Sequence, residues 1–403
     1  MVAFGNSGRV RCKIESTSKR DRSKTDDEGQ KSPKRGKIDF GTSSAEFRKE
    51  RDDSLRGKEL KNFYSEWDKS VGHLLCGAKT GTAFRVGDSY LMTAYHIIKE
   101  AVVWYLDTII TKALSDPNRV NCCTQLLENL RKLGTDIEMA SYGTDIEKKI
   151  ENGIKKWAEK NIDSINFSRL LDVLGDSGFS LAKVQASKEI TQNRMSVVFG
   201  RLSEQEDVLP YPLKLDVPFY SSSDDVAILE VDWTSLPKPF SLQRSNTPPK
   251  SVHIIGYPDS HKSEQILDPH CPLISLAEAK STCQRAVDWW RNAYPRENVE
   301  DFRNAYGSAF RGKGKVLFHC SESTAHGASG SPGLIQMHEE KPVVCLMLQQ
   351  GFPSFVYEQE HQDLLKTVPK QFLIESGISM SRVYEILSDK PHLQTLRNNI
   401  FHT

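Results

Sequence analysis

The chain has 403 residues, 38% of them hydrophobic, enough for one large or two small buried cores. Its net charge of +1 excludes binding of polyanions by bulk charge alone. No run of 18 or more apolar residues occurs, so no transmembrane helix and no membrane partner are expected, and residues 1–13 lack the apolar stretch of a secretory signal.

Residues 1–62 are poor in apolar side chains and rich in charged and small polar ones, a composition that cannot offset the entropy of ordering; a disordered charged tail is expected. Within it, Lys19-Arg20 and Lys34-Arg35-Gly36-Lys37 are spaced as a bipartite nuclear localisation signal would be. The expected location is therefore intracellular and nuclear, with a cytoplasmic location and a merely solvated tail as the alternatives. Sixteen Lys/Arg face eleven Asp/Glu in residues 1–60, an excess that allows chromatin or single-stranded DNA as a partner but falls well short of a polybasic arm. Ser32-Pro33 beside the second cluster is a candidate phosphorylation switch.

The folded part is expected from about residue 63. Residues 71–76, 81–86 and 89–94 read as strands punctuated by Gly77, Gly81 and Gly87-Asp88, and His96 follows the last of them. Leu126, Leu127, Leu130 and Leu133, then Ile146, Ile150, Ile154 and Trp157, recur at helical spacing, the second run behind a Thr144/Glu147 capping box; a helical hairpin is expected over 118–162. Strand patterns resume at 196–199, 225–231 and 252–258. An amphipathic helix is expected over 275–294, with Leu276, Cys283, Val287, Trp290 and Tyr294 on one face and Pro295 as its stop. Strands follow at 315–320 and 342–348, and a helix at 379–387; no internal repeat is visible. The eight cysteines are scattered without a Cys-x-x-Cys, which suggests buried free thiols. His253, His261 and His270 near Cys271 match no standard ligand spacing, so neither a metal nor another cofactor is expected.

Three signals stand in one order. His96 closes Leu91-Met92-Thr93-Ala94-Tyr95-His96, Asp225 opens the run Asp225-Val226-Ala227-Ile228-Leu229, and Ser329 sits in Gly327-Ala328-Ser329-Gly330-Ser331-Pro332. A serine hydroxyl becomes a useful nucleophile only when a base takes its proton, and an acid must hold that base in the right tautomer. Asp224 is the alternative acid; Asp225 is preferred because the apolar run follows it directly. His326, three residues before Ser329, is on the same turn and poorly placed to act as the base.

On these motifs the sequence resembles the trypsin-like (chymotrypsin-fold) serine peptidases. The resemblance implies a mostly β fold, a chymotrypsin-like double β-barrel with helical insertions, and protein or peptide substrates. It implies His96 as general base, Asp225 as its orienter and Ser329 as nucleophile, with the Gly327 and Ser329 N–H groups as oxyanion hole, worth about 3–4 kcal/mol per donor. The domain expected is 63–390, with a first barrel over about 66–235 carrying a helical insertion at about 115–165. A second barrel over about 236–373 carries an insertion at about 272–305, and a C-terminal helix and tail occupy 374–403. The spacing from His96 to Asp225 is 129 residues and from Asp225 to Ser329 is 104, so the first gap holds the larger insertion.

The sequence departs from the secreted trypsins. Ile97 follows His96, no Cys neighbours Ser329, and Ala328 stands where those enzymes carry the Asp that pairs with a freshly cut N-terminus. Activation through that ion pair is not expected. With the segment Ile374 to Val383, the Ser329 motif is similar to the C-terminal peptidase domain of a nuclear, replication-associated family, which implies cleavage of chromatin or replication-associated proteins and self-cleavage. The resemblance also implies a primary pocket formed by Ser323, Leu348, Gln349 and Gln350; none is acidic, so large apolar or aromatic residues are the expected preference. Two other readings are a catalytically silent barrel kept as a binding module and a nucleic-acid-associated protein localised by its tail.

Overall fold

A computed structural model describes residues 67–76, 79–101, 128, 195–199, 211–213, 217–231, 236–258, 265–295, 298–320, 328–335, 341–354 and 367–401. The expected tail and nearly all of the expected 118–162 hairpin lie outside these residues.

The alternating and short apolar runs of the first half become one seven-stranded sheet. β1 (Val71–Cys76), β2 (Lys79–Val86) and β3 (Tyr90–Thr93) form an antiparallel meander, with Val71 opposite Phe84 and Phe84 opposite Met92. β4 (Met195–Phe199), buried at all five positions, pairs with β1, and β5 (Tyr211–Pro212) pairs with β4. β6 (Phe219–Ser221) and β7 (Val226–Glu230) close the other side, β7 against β3. A nearly continuous apolar run such as MSVVF, whose one polar residue Ser196 is small and itself buried, suits a strand covered on both faces.

The second sheet comprises β8 (Ser241–Leu242), β9 (Ser251–Gly256), β10 (Ile266–Ile274), β11 (Lys315–Phe318), β12 (Pro332–Ile335), β13 (Val343–Phe352) and β14 (Ile374–Ser379). Its order is β12-β9-β10-β11-β14-β13-β8, and an additional β12–β13 pairing joins six of the strands into a ring. Around that ring the strands run first, second, third, sixth, fifth, fourth in chain order. The first sheet follows the same sequence, β1-β2-β3-β7-β6, with β4 on the free side of β1. Two sheets of one topology, one of them closed and, among the described residues, carrying a helical insertion between β10 and β11, make a chymotrypsin-like double β-barrel with helical insertions. The repeat is in strand order, which depends on where apolar segments fall and not on residue identity.

Several boundaries differ from expectation. The second barrel extends to Ser379, beyond the expected limit of 373, because β14 is one of its ring strands. Ile374-Glu375-Ser376-Gly377 does not read as a strand since its polar residues are buried with the apolar ones. β10 carries Pro269 and Pro272, which argue against a strand, and β12 is only four residues long.

The insertion between β10 and β11 holds α1 (Leu276–Ala293) and α2 (Val299–Asn304). Ser275 and Glu278 form a reciprocal capping box at the start of α1. Its buried face is Ala279, Thr282, Cys283, Ala286, Val287 and Trp290; Leu276, expected on it, is 50% exposed because the packed surface begins a turn further along. Trp290 stacks on Phe302 at 4.4 Å, and the buried Tyr306 hydroxyl donates to the Phe372 carbonyl at 2.7 Å. At the C-terminus α3 (Met380–Ser388), capped by Ser379, is followed by an unforeseen α4 (Gln394–Phe401). Among the described residues no helix is long and apolar enough to cross a membrane. Cys271, Cys283, Cys320 and Cys345 are free thiols, three of them buried.

His73 on β1 is 1% exposed, stacks on Tyr257 at 5.0 Å, and neither ring nitrogen has a hydrogen-bond partner. Burial lowers its pKa from 6.5 to about 4. Between those values the unfolded chain binds a proton that the folded chain excludes, so stability falls as pH drops through the window, by about 3 kcal/mol in all. In urea unfolding at pH 7 and pH 4.5, wild type should lose about 2 kcal/mol more than His73→Phe; equal losses would refute this role for His73.

Candidate active site

β3 and β7 are antiparallel neighbours with Thr93 opposite Ala227, which brings the chain leaving β3 level with the chain entering β7. Residues 95–101 are helical, and His96 lies in their first turn. Tyr95 stacks on Tyr220 of β6 at 5.2 Å, holding that turn against the sheet. Asp225 precedes β7 with φ 50°, a left-handed conformation that Asp tolerates better than most residues, at a cost of about 1 kcal/mol.

The Asp225 carboxylate grips His96 twice. Oδ1 accepts the His96 backbone N–H at 2.9 Å, and His96 Nδ1 lies 2.9 Å from Oδ2 and 3.1 Å from Oδ1. The side chains are 40% and 28% exposed, so the pair sits at a surface opening. Burial acts to raise the carboxyl pKa, but the charge and hydrogen bonds of His96, with a contribution from Lys315, hold it below the usual range. A carboxylate on Nδ1 favours the tautomer protonated there, leaving Nε2 with a lone pair that can take a proton. Asp224 is engaged elsewhere: its carboxylate accepts from Ser221 Oγ at 2.8 Å, Ser223 Oγ at 3.0 Å and Arg382 Nε at 3.2 Å.

Ser329 occupies a tight turn in which the Ser331 N–H donates to the Ala328 carbonyl at 3.0 Å and Gly330 takes φ 89°. The turn is seated on both barrels. The Thr82 N–H of β2 donates to the Ser329 carbonyl at 2.9 Å, and the Gly330 N–H donates to Leu348 of β13 at 2.8 Å. Thr82 is a seam residue: its Oγ1 accepts the Tyr257 N–H at 3.0 Å and its carbonyl accepts the Thr93 hydroxyl at 2.7 Å. Sequence patterning singles out neither contact, because a threonine in a strand reads simply as strand.

Gln349 links the three segments. The β13–β14 register shifts by one residue between Leu348 and Gln350, so Gln349 is the extra residue of a bulge. Its amide donates to the carbonyls of Asp224 at 2.5 Å and Asp225 at 3.1 Å, and its own carbonyl accepts the Ser329 hydroxyl at 2.9 Å. The contacts thus run Ser329, Gln349, Asp225, His96. Among the described residues, the Ser329 hydroxyl donates its hydrogen bond to Gln349 and not to His96.

Of the expected pocket, Ser323 lies outside the described residues, as do Gly327 of the expected oxyanion hole and His326. Leu348 packs in the second-barrel core with Val252, Ile254, Phe318 and Leu346, and Gln349 is 3% exposed. These two side chains are interior, the bulge turning Gln349 toward the Asp224 and Asp225 carbonyls, while Gln350 is exposed.

No family model matches the chain, and no curated protein matches it. Among solved structures it is similar to the crystal structure of Rv3671c protease, inactive form, at 11% identity and a TM-score of 0.37, over 82% of this chain and 95% of that one.

Proposed function

We propose that the chain is a serine endopeptidase with Ser329 as nucleophile, His96 as general base and Asp225 as the acid that orients it. The observation that carries this reading is the double hold of Asp225 on His96, at both Nδ1 and the backbone N–H. Ser329 Oγ, turned away from Gln349, attacks the scissile carbonyl while His96 Nε2 takes its proton. The same proton then passes to the leaving amine, giving an acyl-enzyme that water hydrolyses by the reverse path. The Ser329 and Gly327 N–H groups receive the oxyanion, and an uncharged pocket including Ser323 and Gln350 favours large apolar or aromatic side chains. The basic clusters at Lys19-Arg20 and Lys34–Lys37 direct the enzyme to the nucleus, where chromatin or replication proteins and the chain itself are its substrates.

The hydrogen bond from Ser329 Oγ to Gln349 favours a second reading, a catalytically silent barrel used for binding. A fluorophosphonate probe separates the two. It labels wild type and not Ser329→Ala if the enzyme reading holds; absence of label on both overturns that reading and leaves the binding module.

A further inference from the structure

Cys271, on β10, and Cys320, just after β11, are brought together by register. Leu273 opposes Phe318 and Ile274 opposes Leu317, and the ladder continues with the His319 N–H donating to the Pro272 carbonyl at 3.1 Å. Cys271 and Cys320 are the next pair along, a non-hydrogen-bonded pair in which cross-strand side chains approach most closely. Their sulfurs are 3.6 Å apart. Asp268 joins them through a defect in the strand. Residues three apart on a regular strand point to opposite faces. β10 carries a bulge between Asp268 and Cys271, its register on β9 slipping by one residue. Both side chains therefore turn inward, 2% and 0% exposed, while Pro269 and His270 between them face solvent. The three ligand atoms lie within 4.8 Å of one another.

We infer that Asp268, Cys271 and Cys320 form a binding site for a thiophilic divalent cation of the zinc type. Two thiolates on a tetrahedral ion with metal–sulfur bonds of about 2.3 Å stand about 3.8 Å apart, which the 3.6 Å separation meets with little adjustment. The surroundings favour a cation over a redox dithiol. Reactive dithiols have cationic neighbours that stabilise thiolate; here the neighbours are the buried carboxyl groups of Asp268 and Glu375, which suit a bound cation instead. On binding, each thiol releases a proton to solvent as its sulfur takes the ion, and the carboxylates neutralise the ion's charge. Glu375, opposite Phe318 on β14 and 3% exposed, adds a buried carboxyl group on the neighbouring strand, outside the three-residue cluster. Cys320, only partly buried, gives the ion its way in. The ion would anchor the chain where it leaves β11, nine residues before Ser329. The site does not depend on Ser329 being a nucleophile.

The test uses the full chain, reduced and stripped of metal, titrated with Co²⁺ and then Zn²⁺. The expected result is one Co²⁺ per chain with thiolate charge-transfer absorption, displaced by Zn²⁺, and a rise in unfolding temperature. Cys271→Ser and Cys320→Ser should each weaken Co²⁺ binding by more than the roughly 10–100-fold that loss of an outer-shell partner costs. Cys345→Ser, removing a buried thiol that donates to the Gly333 carbonyl, should leave it unchanged. Should the serine variants misfold, Zn²⁺ protection of Cys271 and Cys320 from alkylation in wild type, read by peptide mass mapping, decides the matter. Absence of thiolate absorption, equal alkylation with and without Zn²⁺, or recovery of the two residues as a disulfide under the same reducing conditions would each overturn the site.

Discussion

Asp225→Asn should lower kcat by about 10⁴-fold with little change in KM, while Asp224→Asn should leave kcat within about threefold of wild type. The difference follows from the bonds that each carboxylate makes. Asp225 Oδ1 accepts the His96 backbone N–H, so an asparagine there keeps its oxygen on that donor and turns its amide toward Nδ1. Nδ1 must then accept, the imidazole proton moves to Nε2, and the ring can no longer take a proton from Ser329. Asp224 holds Ser221, Ser223 and Arg382 and makes no such contact with the imidazole. An asparagine retains part of that network, so its effect should be on stability, at about 1 kcal/mol. Steady-state hydrolysis of a peptide with an aromatic residue before the scissile bond measures both variants. Equal losses would remove Asp225 from its assigned role.

Gly330→Ala should cost about 3 kcal/mol or more of stability and eliminate fluorophosphonate labelling in the fraction that folds. Gly330 has φ 89°, where an L side chain is strained. An added Cβ would be driven into the Thr82 carbonyl and to 2.7 Å from Thr93 Oγ1. Those groups are bonded to each other, and the Thr82 N–H is bonded to the Ser329 carbonyl, so relieving the clash unseats the serine turn from the first barrel. Gly307→Ala provides the control, since a Cβ there meets nothing within 4 Å. Chemical denaturation of the two variants gives the comparison, and wild-type stability for Gly330→Ala would contradict the seating of the turn on β2.

Legibility in the sequence followed the physics of each segment. β1, β3, β4, β7 and α1 were readable because one burial pattern, alternation, an apolar run or a helical stripe, dominated each of them. β10 and β14 were not: prolines interrupt the first, and the buried polar residues of the second carry no hydrophobic signal. The His96 and Asp225 pairing was legible as motif and order, since both flank strong strands. The contributions of Thr82, Thr93 and Gln349 depend on which backbone carbonyls lie nearby once two barrels meet, and Gln349 further on a bulge that only the β13–β14 register reveals. The Asp268, Cys271 and Cys320 cluster was hidden for a related reason. Its members are 3 and 49 positions apart in the chain, and a strand defect aligns the nearer two.

Acid-quench mass spectrometry of the chain turning over an aromatic p-nitrophenyl ester tests the proposed chemistry most directly. An adduct of one acyl group per chain, confined to the peptide containing Ser329 and lost in His96→Ala, is the predicted result. Ester hydrolysis with the acyl group on another residue, or with no acylated chain under conditions that trap such intermediates, would contradict it.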